Sequence, residues 1–168
     1  MIELIRSLFW IDPITYTGQE LISHWIYNKF QILDDAIVAF AGPCQVSLPE
    51  MVDLEDVHNN QPIYSEFMLH FIIERFQTSL SEMILRQRLF ASQVQQLLHD
   101  QGFHSIRRSG NDLYDGSFKL SVSIATISPI SALIHFGLNI SSYNTPVPTK
   151  GLEDYGLAWN TVAIKLLE

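Results

Sequence analysis

The chain of 168 residues is 47% hydrophobic and 17% charged, which is typical of a folded globular domain and excludes a disordered one. Its formal net charge of -8 argues against a large nucleic-acid surface, which would need clustered lysine and arginine side chains. No apolar run approaches the roughly 18 residues of a membrane-spanning helix. We therefore expect a single domain over residues 1–168, with neither a nucleic acid nor a membrane as partner.

The N-terminal stretch and the cysteine content predict where the protein resides. The stretch MIELIRSLFWID lacks the basic segment and the small-residue cleavage site of a signal peptide. Cys44 is the single cysteine, so it cannot form an internal disulfide. These features predict a cytoplasmic protein. The sequence does not fix the oligomeric state, and a homodimer is left open.

The first half of the chain predicts a helix, two strands and a long loop. Residues 17–30 carry an apolar stripe at helical spacing, and their first residues, TGQE, form a capping box. The stretch AIVAF at 36–40 predicts a short buried strand. The polar, proline-containing stretch 41–62 predicts a long loop. The apolar residues 66–76 are compatible with a strand or a helix, and we expect a strand.

The clearest predicted helix begins near Leu80 and ends at Gly102. Ser79 and Glu82 form a second capping box at its start. Gln87 falls inside the apolar stripe of this helix, and a buried polar side chain needs a partner. We expect a flanking salt bridge there, and a ligand contact is the alternative.

Residues 110–126 predict a tight β-hairpin. Asp115 and Gly116 are a type I′ turn signal, because both central positions of that turn need a positive φ. A turn at these residues would pair Asp112 with Lys119. The alternation of side chains along the strands then places four polar residues on one face. They are Asp112, Lys119, Ser121 and Ser123.

The stretch ALIHFGLNI at 132–140 predicts a neighbouring antiparallel strand with one apolar face. If the apolar faces of both strands meet the helices, the remaining faces form one surface. That predicted surface carries Asp112, Lys119, Ser121, Ser123, His135 and Asn139, and Gly137 leaves room near the backbone. A solvated face with an Asp112–Lys119 ion pair is the alternative. The small hydroxyls, the histidine and the asparagine favour a lined cleft.

The sequence predicts no metal site. Four histidines show no metal-ligand spacing with one another or with the cysteine: His24, His70, His99 and His104. The carboxylates of Asp53, Glu55 and Asp56 could hold Mg²⁺ from a loop. Carboxylates in loops are usually only solvated, so we assign no metal to them.

The helix near Leu80, the stretch RRSGNDLYDGSFKLSVSIAT and the strand LIHFGLNI resemble, in this order, the biotin and lipoate protein ligase superfamily. That superfamily is related to the class II aminoacyl-tRNA synthetases. Its enzymes carry a tryptophan-proline-asparagine-aspartate stretch, a turn, a strand with a lysine, and a strand that ends glycine-leucine-asparagine-valine. The matching positions here are Asn111, Asp112, Lys119, Gly137 and Asn139.

The whole chain resembles more closely the domain of unknown function DUF366, which is assigned the same fold. The resemblance implies an α+β domain in which an antiparallel or mixed β-sheet is flanked by helices, as in the biotin ligases and class II synthetases. It also implies that Lys119 contacts the carboxylate and the α-phosphate of an acyl-adenylate, with ATP and Mg²⁺ as cofactors. Asp112 would orient the lysine or bind Mg²⁺, and His135 would carry a proton. The other expected ligand-binding residues are Asn111, Ser121, Ser123 and Asn139.

The sequence departs from the ligases at the adenylate-binding loop. The matching stretch FAGPCQVSLPEMVDLEDV holds no arginine and one glycine. Octanoyltransferases of the same superfamily place a nucleophilic cysteine where this chain has Val147, so thiol-based acyl transfer is not expected there. Two hypotheses follow. The protein is a ligase or acyltransferase acting on a small carboxylic acid, or it is a module that binds a small metabolite or nucleotide without chemistry.

Overall fold

The structure is a computed structural model that describes residues 5–60 and 62–168, without the side chain of Asp56. The strands of the described part are β1 Arg6–Phe9, β2 Ala36–Val46, β3 Ile63–Phe76, β4 Ile106–Ser109, β5 Asp112–Asp115, β6 Phe118–Lys119, β7 Ser121–Ile127 and β8 Ser131–Asn139. Its helices are α1 Trp25–Phe30, α2 Leu54–His58, α3 Leu80–Asp100 and α4 Trp159–Leu167. Short 3₁₀ turns lie at Leu48–Glu50 and Leu152–Tyr155. No helix in these ranges is both long enough and apolar enough to cross a membrane.

Five strands form the main sheet in the order β1-β2-β3-β8-β7. Strand β1 pairs with β2 in parallel, and every other pairing in this sheet is antiparallel. Strands β4, β5 and β6 form a second, smaller antiparallel sheet. The expected α+β architecture with a mixed sheet and flanking helices is therefore confirmed.

The main sheet has a different core on each face. Strand β8 directs Ile134, Phe136 and Leu138 toward α3 and α4, so the predicted apolar face of this strand is confirmed. On the opposite face, the segment before β2 packs Tyr16 and Ile26 against the sheet. Both faces of the sheet are thus covered, one by α3 and α4 and the other by the segment that carries Tyr16 and Ile26.

Several predicted elements have the expected position and type. The strand expected at 36–40 is the first part of β2, and the strand expected at 66–76 lies within β3. Helix α3 begins with the predicted capping box, in which Ser79 and Glu82 bond each other's backbone N–H. These elements are predictable because their apolar residues recur at a regular spacing over a long segment, and the face that carries them must be buried.

In the first half of the chain, two predicted elements differ from the structure. The helix predicted over 17–30 begins only at Trp25, although the capping-box hydrogen bonds between Thr17 and Glu20 do form. His24 has a φ of 62°, so it interrupts the helix at that point. Within the stretch 41–62, for which we predicted a long loop, residues 41–46 are the end of β2, and Leu48–Glu50 and Leu54–His58 are short helical segments.

The hairpin turn lies one residue later than predicted. Tyr114 pairs with Lys119 and Asp115 with Phe118, so Gly116 and Ser117 form the turn. Gly116 takes the positive φ of 60° that such a turn needs. The predicted Asp112–Lys119 pairing in register is therefore wrong, although the two side chains do meet diagonally.

The alternation of side chains also breaks at Leu120. This residue lies between β6 and β7 and packs into the core on the helix side. The strand then resumes with Ser121 opposite Leu138 and Ser123 opposite Phe136, which are both on the helix side. The prediction that the two serines share a face with Lys119 is therefore wrong.

Candidate ligand-binding cavity

A cavity of about 270 Å³ opens on the sheet face opposite α3. Strands β3, β7 and β8 contribute to its wall, and segments near Tyr16, Met51, Ile63 and Val147 complete it. Five of the predicted site residues line it: Asp112, Lys119, Ser123, His135 and Asn139. Its volume is at the small end for ligand pockets, so a small molecule fits it.

The charged centre of the cavity is an ion pair. The Nζ atom of Lys119 lies 3.0 Å from Oδ2 of Asp112, with 30% and 21% of the two side chains exposed. The small sheet brings them together. Tyr114 is the strand partner of Lys119, and Asp112 lies two residues before Tyr114, so its side chain is on the same face. The ion pair of the alternative interpretation does form, but it lies in a cavity, as the favoured interpretation expects, and not on a flat solvated face.

The backbone of Lys119 is held on both sides. Its N–H donates to the carbonyl of Pro148 at 3.0 Å, and its carbonyl accepts from the N–H of Lys150 at 3.1 Å. The side-chain amide of Asn139 also donates to the Lys119 carbonyl, at 3.4 Å. Asn139 therefore supports the strand that carries the lysine, and the segment 145–150 forms the adjoining wall.

His135 lies at the base of the cavity with 3% of its surface exposed. Its ring stacks on that of Tyr16 with centroids 3.6 Å apart, and its Nε2 lies 3.0 Å from Nδ1 of His70. The Nε2 atom of His70 lies 3.1 Å from the carbonyl oxygen of Gly42. A carbonyl only accepts, so we assign the proton to Nε2 of His70. His135 must then donate from Nε2, and its Nδ1 carries no proton.

Burial keeps this histidine pair neutral. It lowers the pKa of His70 to about 4. Burial, and then the neighbouring His70, hold the pKa of His135 well below its usual range. At neutral pH His135 is thus a hydrogen-bonding group without a charge. Its expected part as a proton carrier stays a prediction.

Three predicted ligand-binding residues direct their polar atoms away from the cavity. The side-chain oxygen of Asn111 accepts from Nε of Arg88 at 3.4 Å, outside the lining. The hydroxyl of Ser121 accepts from the backbone N–H of Leu113 at 2.8 Å. The Ser123 residue borders the cavity, but its hydroxyl accepts from the Gln87 amide at 2.7 Å. The buried Gln87 therefore has a partner within the fold, but this contact is a hydrogen bond and not the flanking salt bridge that we expected.

Two further residues of the site, His70 and Tyr16, belong to no recognisable sequence motif. The one signal in the sequence is that a histidine inside an apolar strand, such as His70, needs a buried partner. The space beside Gly137 is occupied by protein, because a Cβ atom there would meet the sulfur of Met68. This glycine makes room for a side chain of the fold and not for a ligand.

Cys44 does not supply a nucleophile to the cavity. It is fully buried, and burial, followed by the charge of Glu20, raises the pKa of its thiol to about 12. It is absent from the residues that line the cavity within the described ranges. The thiolate that acyl transfer requires is therefore not formed at neutral pH.

The described lining does not fit a nucleoside triphosphate. Among the described side chains that line the cavity, three are carboxylates, those of Glu50, Asp53 and Asp112, and one is an ammonium, that of Lys119. A triphosphate needs several cationic or N–H donors. No group of three or more metal-ligating side chains forms in the part of the chain that the structure describes, and the Asp56 side chain lies outside it.

Comparison with known proteins decides the family. The model of the family described as a domain of unknown function, DUF366, matches residues 5–167. The chain belongs to the DUF366 family. An uncharacterized protein of Methanocaldococcus jannaschii is 35% identical over 161 residues, which cover 92% of this chain and 72% of that protein.

Solved structures place this DUF366 protein among the biotin and lipoate ligase folds. A protein of unknown function from Pyrococcus horikoshi is 35% identical, with a TM-score of 0.89 over 96% of this chain and 88% of that one. A T. acidophilum protein with bound lipoic acid has a TM-score of 0.65 at 14% identity, over 96% and 83% of the two chains. Biotin protein ligase from Aquifex aeolicus, in complex with biotin and ATP, has a TM-score of 0.59 at 15% identity, over 95% and 66%. The last two likenesses show the fold alone.

Proposed function

We propose that this DUF366 protein binds a small carboxylic acid in the cavity around Lys119. The observation that carries the proposal is the Lys119 ammonium, which is the one cationic side chain among the described residues that line the cavity. A carboxylate placed in a partly desolvated site gains most from a charged donor. The acid group of the ligand would therefore contact Lys119.

The rest of the lining suits the apolar part of such an acid. Met68, Val122 and Ile124 line the sheet side of the cavity, and Pro146 and Val147 line another part of its wall. Apolar walls with a few placed polar groups are typical of small-molecule sites. The bound lipoic acid and biotin of the two fold relatives support this choice of ligand class.

Catalysis is the second candidate, and the fixed orientation of His135 favours it. A ligase or acyltransferase would use Lys119 to stabilise developing negative charge, with His135 in the same cavity. ATP and Mg²⁺ stay predictions drawn from the fold. Because the described lining suits neither a triphosphate nor a metal, the proposal contains no step that depends on them.

Isothermal titration calorimetry with octanoate, lipoate and biotin tests the proposal. We expect at least one acid to bind, and we expect Lys119→Ala to weaken that binding tenfold or more. Lys119→Arg should also bind weakly, because a planar guanidinium does not replace a compact ammonium beside Asp112. Lys165→Ala, a change at an exposed lysine on α4, is the control and should bind as the parent does.

Three results would distinguish the contact with Lys119, the ligase and the non-catalytic binding module. Equal affinity of the parent and Lys119→Ala for every acid that binds would remove Lys119 from the site. Pyrophosphate release on mixing the protein with ATP and a bound acid would instead establish the ligase. Binding without turnover supports the module.

A further inference from the structure

We propose that the acid bound in this cavity also carries a cationic amino group, as an apolar α-amino acid does. This inference rests on the function proposed above and narrows its substrate class. It starts from the charges that line the cavity and not from the fold.

The lysine presents its charge together with an opposite one. The Oδ2 atom of Asp112 lies 3.0 Å from Nζ of Lys119, and both residues line the cavity. An acid with a single negative charge would be attracted by Lys119 and repelled by Asp112, so the Asp112 carboxylate reduces the net attraction. A zwitterion can place its carboxylate near the ammonium and its amino group near the carboxylate. Both contacts are then favourable.

The exposed part of the cavity lining adds more negative charge. Glu50 and Asp53 also line it, and both are exposed to solvent. Their effect is screened by water and salt, but it has the same sign as that of Asp112. With three carboxylates against one ammonium among the described lining residues, the cavity favours a ligand that brings a positive charge.

A simple acid meets only the Lys119 half of this arrangement, so it should bind less tightly than a ligand that carries both charges. An amine without a carboxylate would face the Lys119 ammonium, which repels it. A molecule with several negative charges would face all three carboxylates. The apolar residues Met68, Val122 and Ile124 provide a surface for a hydrocarbon side chain, and the volume of about 270 Å³ limits its size. An apolar α-amino acid satisfies each of these conditions.

The test compares three probes that share one hydrocarbon side chain. Leucine carries both charges, 4-methylpentanoate lacks the amino group, and 3-methylbutylamine lacks the carboxylate. Phenylalanine, 3-phenylpropanoate and 2-phenylethylamine form a second set. Calorimetry at low salt should show that at least one of the two amino acids binds ten times more tightly, or better, than both of its analogues.

The Asp112→Asn variant keeps the shape of the side chain and removes its charge. We expect it to lose the preference for the amino acid over the corresponding acid. Asp100→Asn, a change at an exposed carboxylate at the end of α3, is the control and should keep the preference. Retention of the full preference by Asp112→Asn would overturn the inference.

The outcomes separate this inference from the function on which it rests. If 4-methylpentanoate or 3-phenylpropanoate binds as tightly as its amino acid and depends on Lys119, the inference is wrong and the proposed function stands. If an amine binds as tightly as its amino acid, the inference is wrong, and so is the proposal that Lys119 contacts the carboxylate of the ligand. If no probe binds, and neither octanoate, lipoate nor biotin binds, both proposals are wrong.

Discussion

The Nε2 atom of His135 lies 3.0 Å from Nδ1 of His70, so the base of the cavity is tied to a neighbouring strand by a buried imidazole pair. His70 in turn contacts the carbonyl of Gly42 on β2. Three strands of the main sheet thereby fix the ring of His135. The site depends on a residue, His70, that does not line the cavity itself.

Replacing His70 with alanine should destabilise the protein. The change removes two hydrogen bonds, leaves a polar ring of His135 buried without its partner, and opens a void in the sheet. We expect a loss of about 2–4 kcal/mol in the free energy of unfolding, measured by urea denaturation. His104→Ala, at an exposed position, is the control and should change it by less than about 0.5 kcal/mol. Equal effects of the two variants would contradict the buried pair.

The same pair should make the protein sensitive to acid. The pKa of His70 falls from 6.5 in the unfolded chain to about 4 in the folded one. Between these values the unfolded chain binds a proton that the folded chain excludes, so stability falls as the pH falls. The contribution of His70 is fully present above about pH 6.5, and about 3 kcal/mol is lost by pH 4. The lowered pKa of His135 acts in the same direction. Denaturation curves between pH 8 and 4 should show this loss, and constant stability would contradict it.

Sequence patterns predicted the elements that bury a long periodic face. Helix α3 and strand β8 have many apolar residues at regular spacing, and only one arrangement buries them. The family resemblance added the fold. It also brought together Asp112, Lys119, Asn139 and His135, which do line one cavity.

The remaining features depend on contacts that local patterns do not contain. The break at Leu120 follows from packing of its side chain into the helix-side core, and no glycine or proline marks it in the sequence. The turn beside Gly116 lies one residue later than predicted for a similar reason. The pairing of β5 with β6 decides its position, and the local sequence does not contain that pairing. The contact of His70 with His135 joins residues 65 positions apart.

Gly137→Ala should disturb the floor of the cavity. The added methyl group would meet the sulfur of Met68 and would lie 3.2 Å from the rings or methyls of His135 and Val122. We expect a loss of about 1–3 kcal/mol in unfolding free energy. Met68→Ala alone should also destabilise, but the double variant should be more stable than the sum of the two losses implies, because it relieves the clash. Strictly additive losses would show that the two side chains do not compete for space.

Cys44 should resist thiol reagents in the folded protein. It is buried and its thiol has a pKa raised to about 12, so thiolate is scarce at neutral pH. We expect less than a tenth of the chains to react with a disulfide reagent within an hour at pH 7.5, and complete reaction in denaturant. Rapid reaction of the folded protein would show that the thiol is open to solvent.

A crystal structure of the protein soaked with the tightest-binding acid tests the central claim most directly. The account predicts electron density in the cavity with a carboxylate oxygen about 3 Å from Nζ of Lys119. The hydrocarbon part should lie on Met68, Val122 and Ile124. Density with the carboxylate turned away from Lys119, or bound outside this cavity, would contradict it.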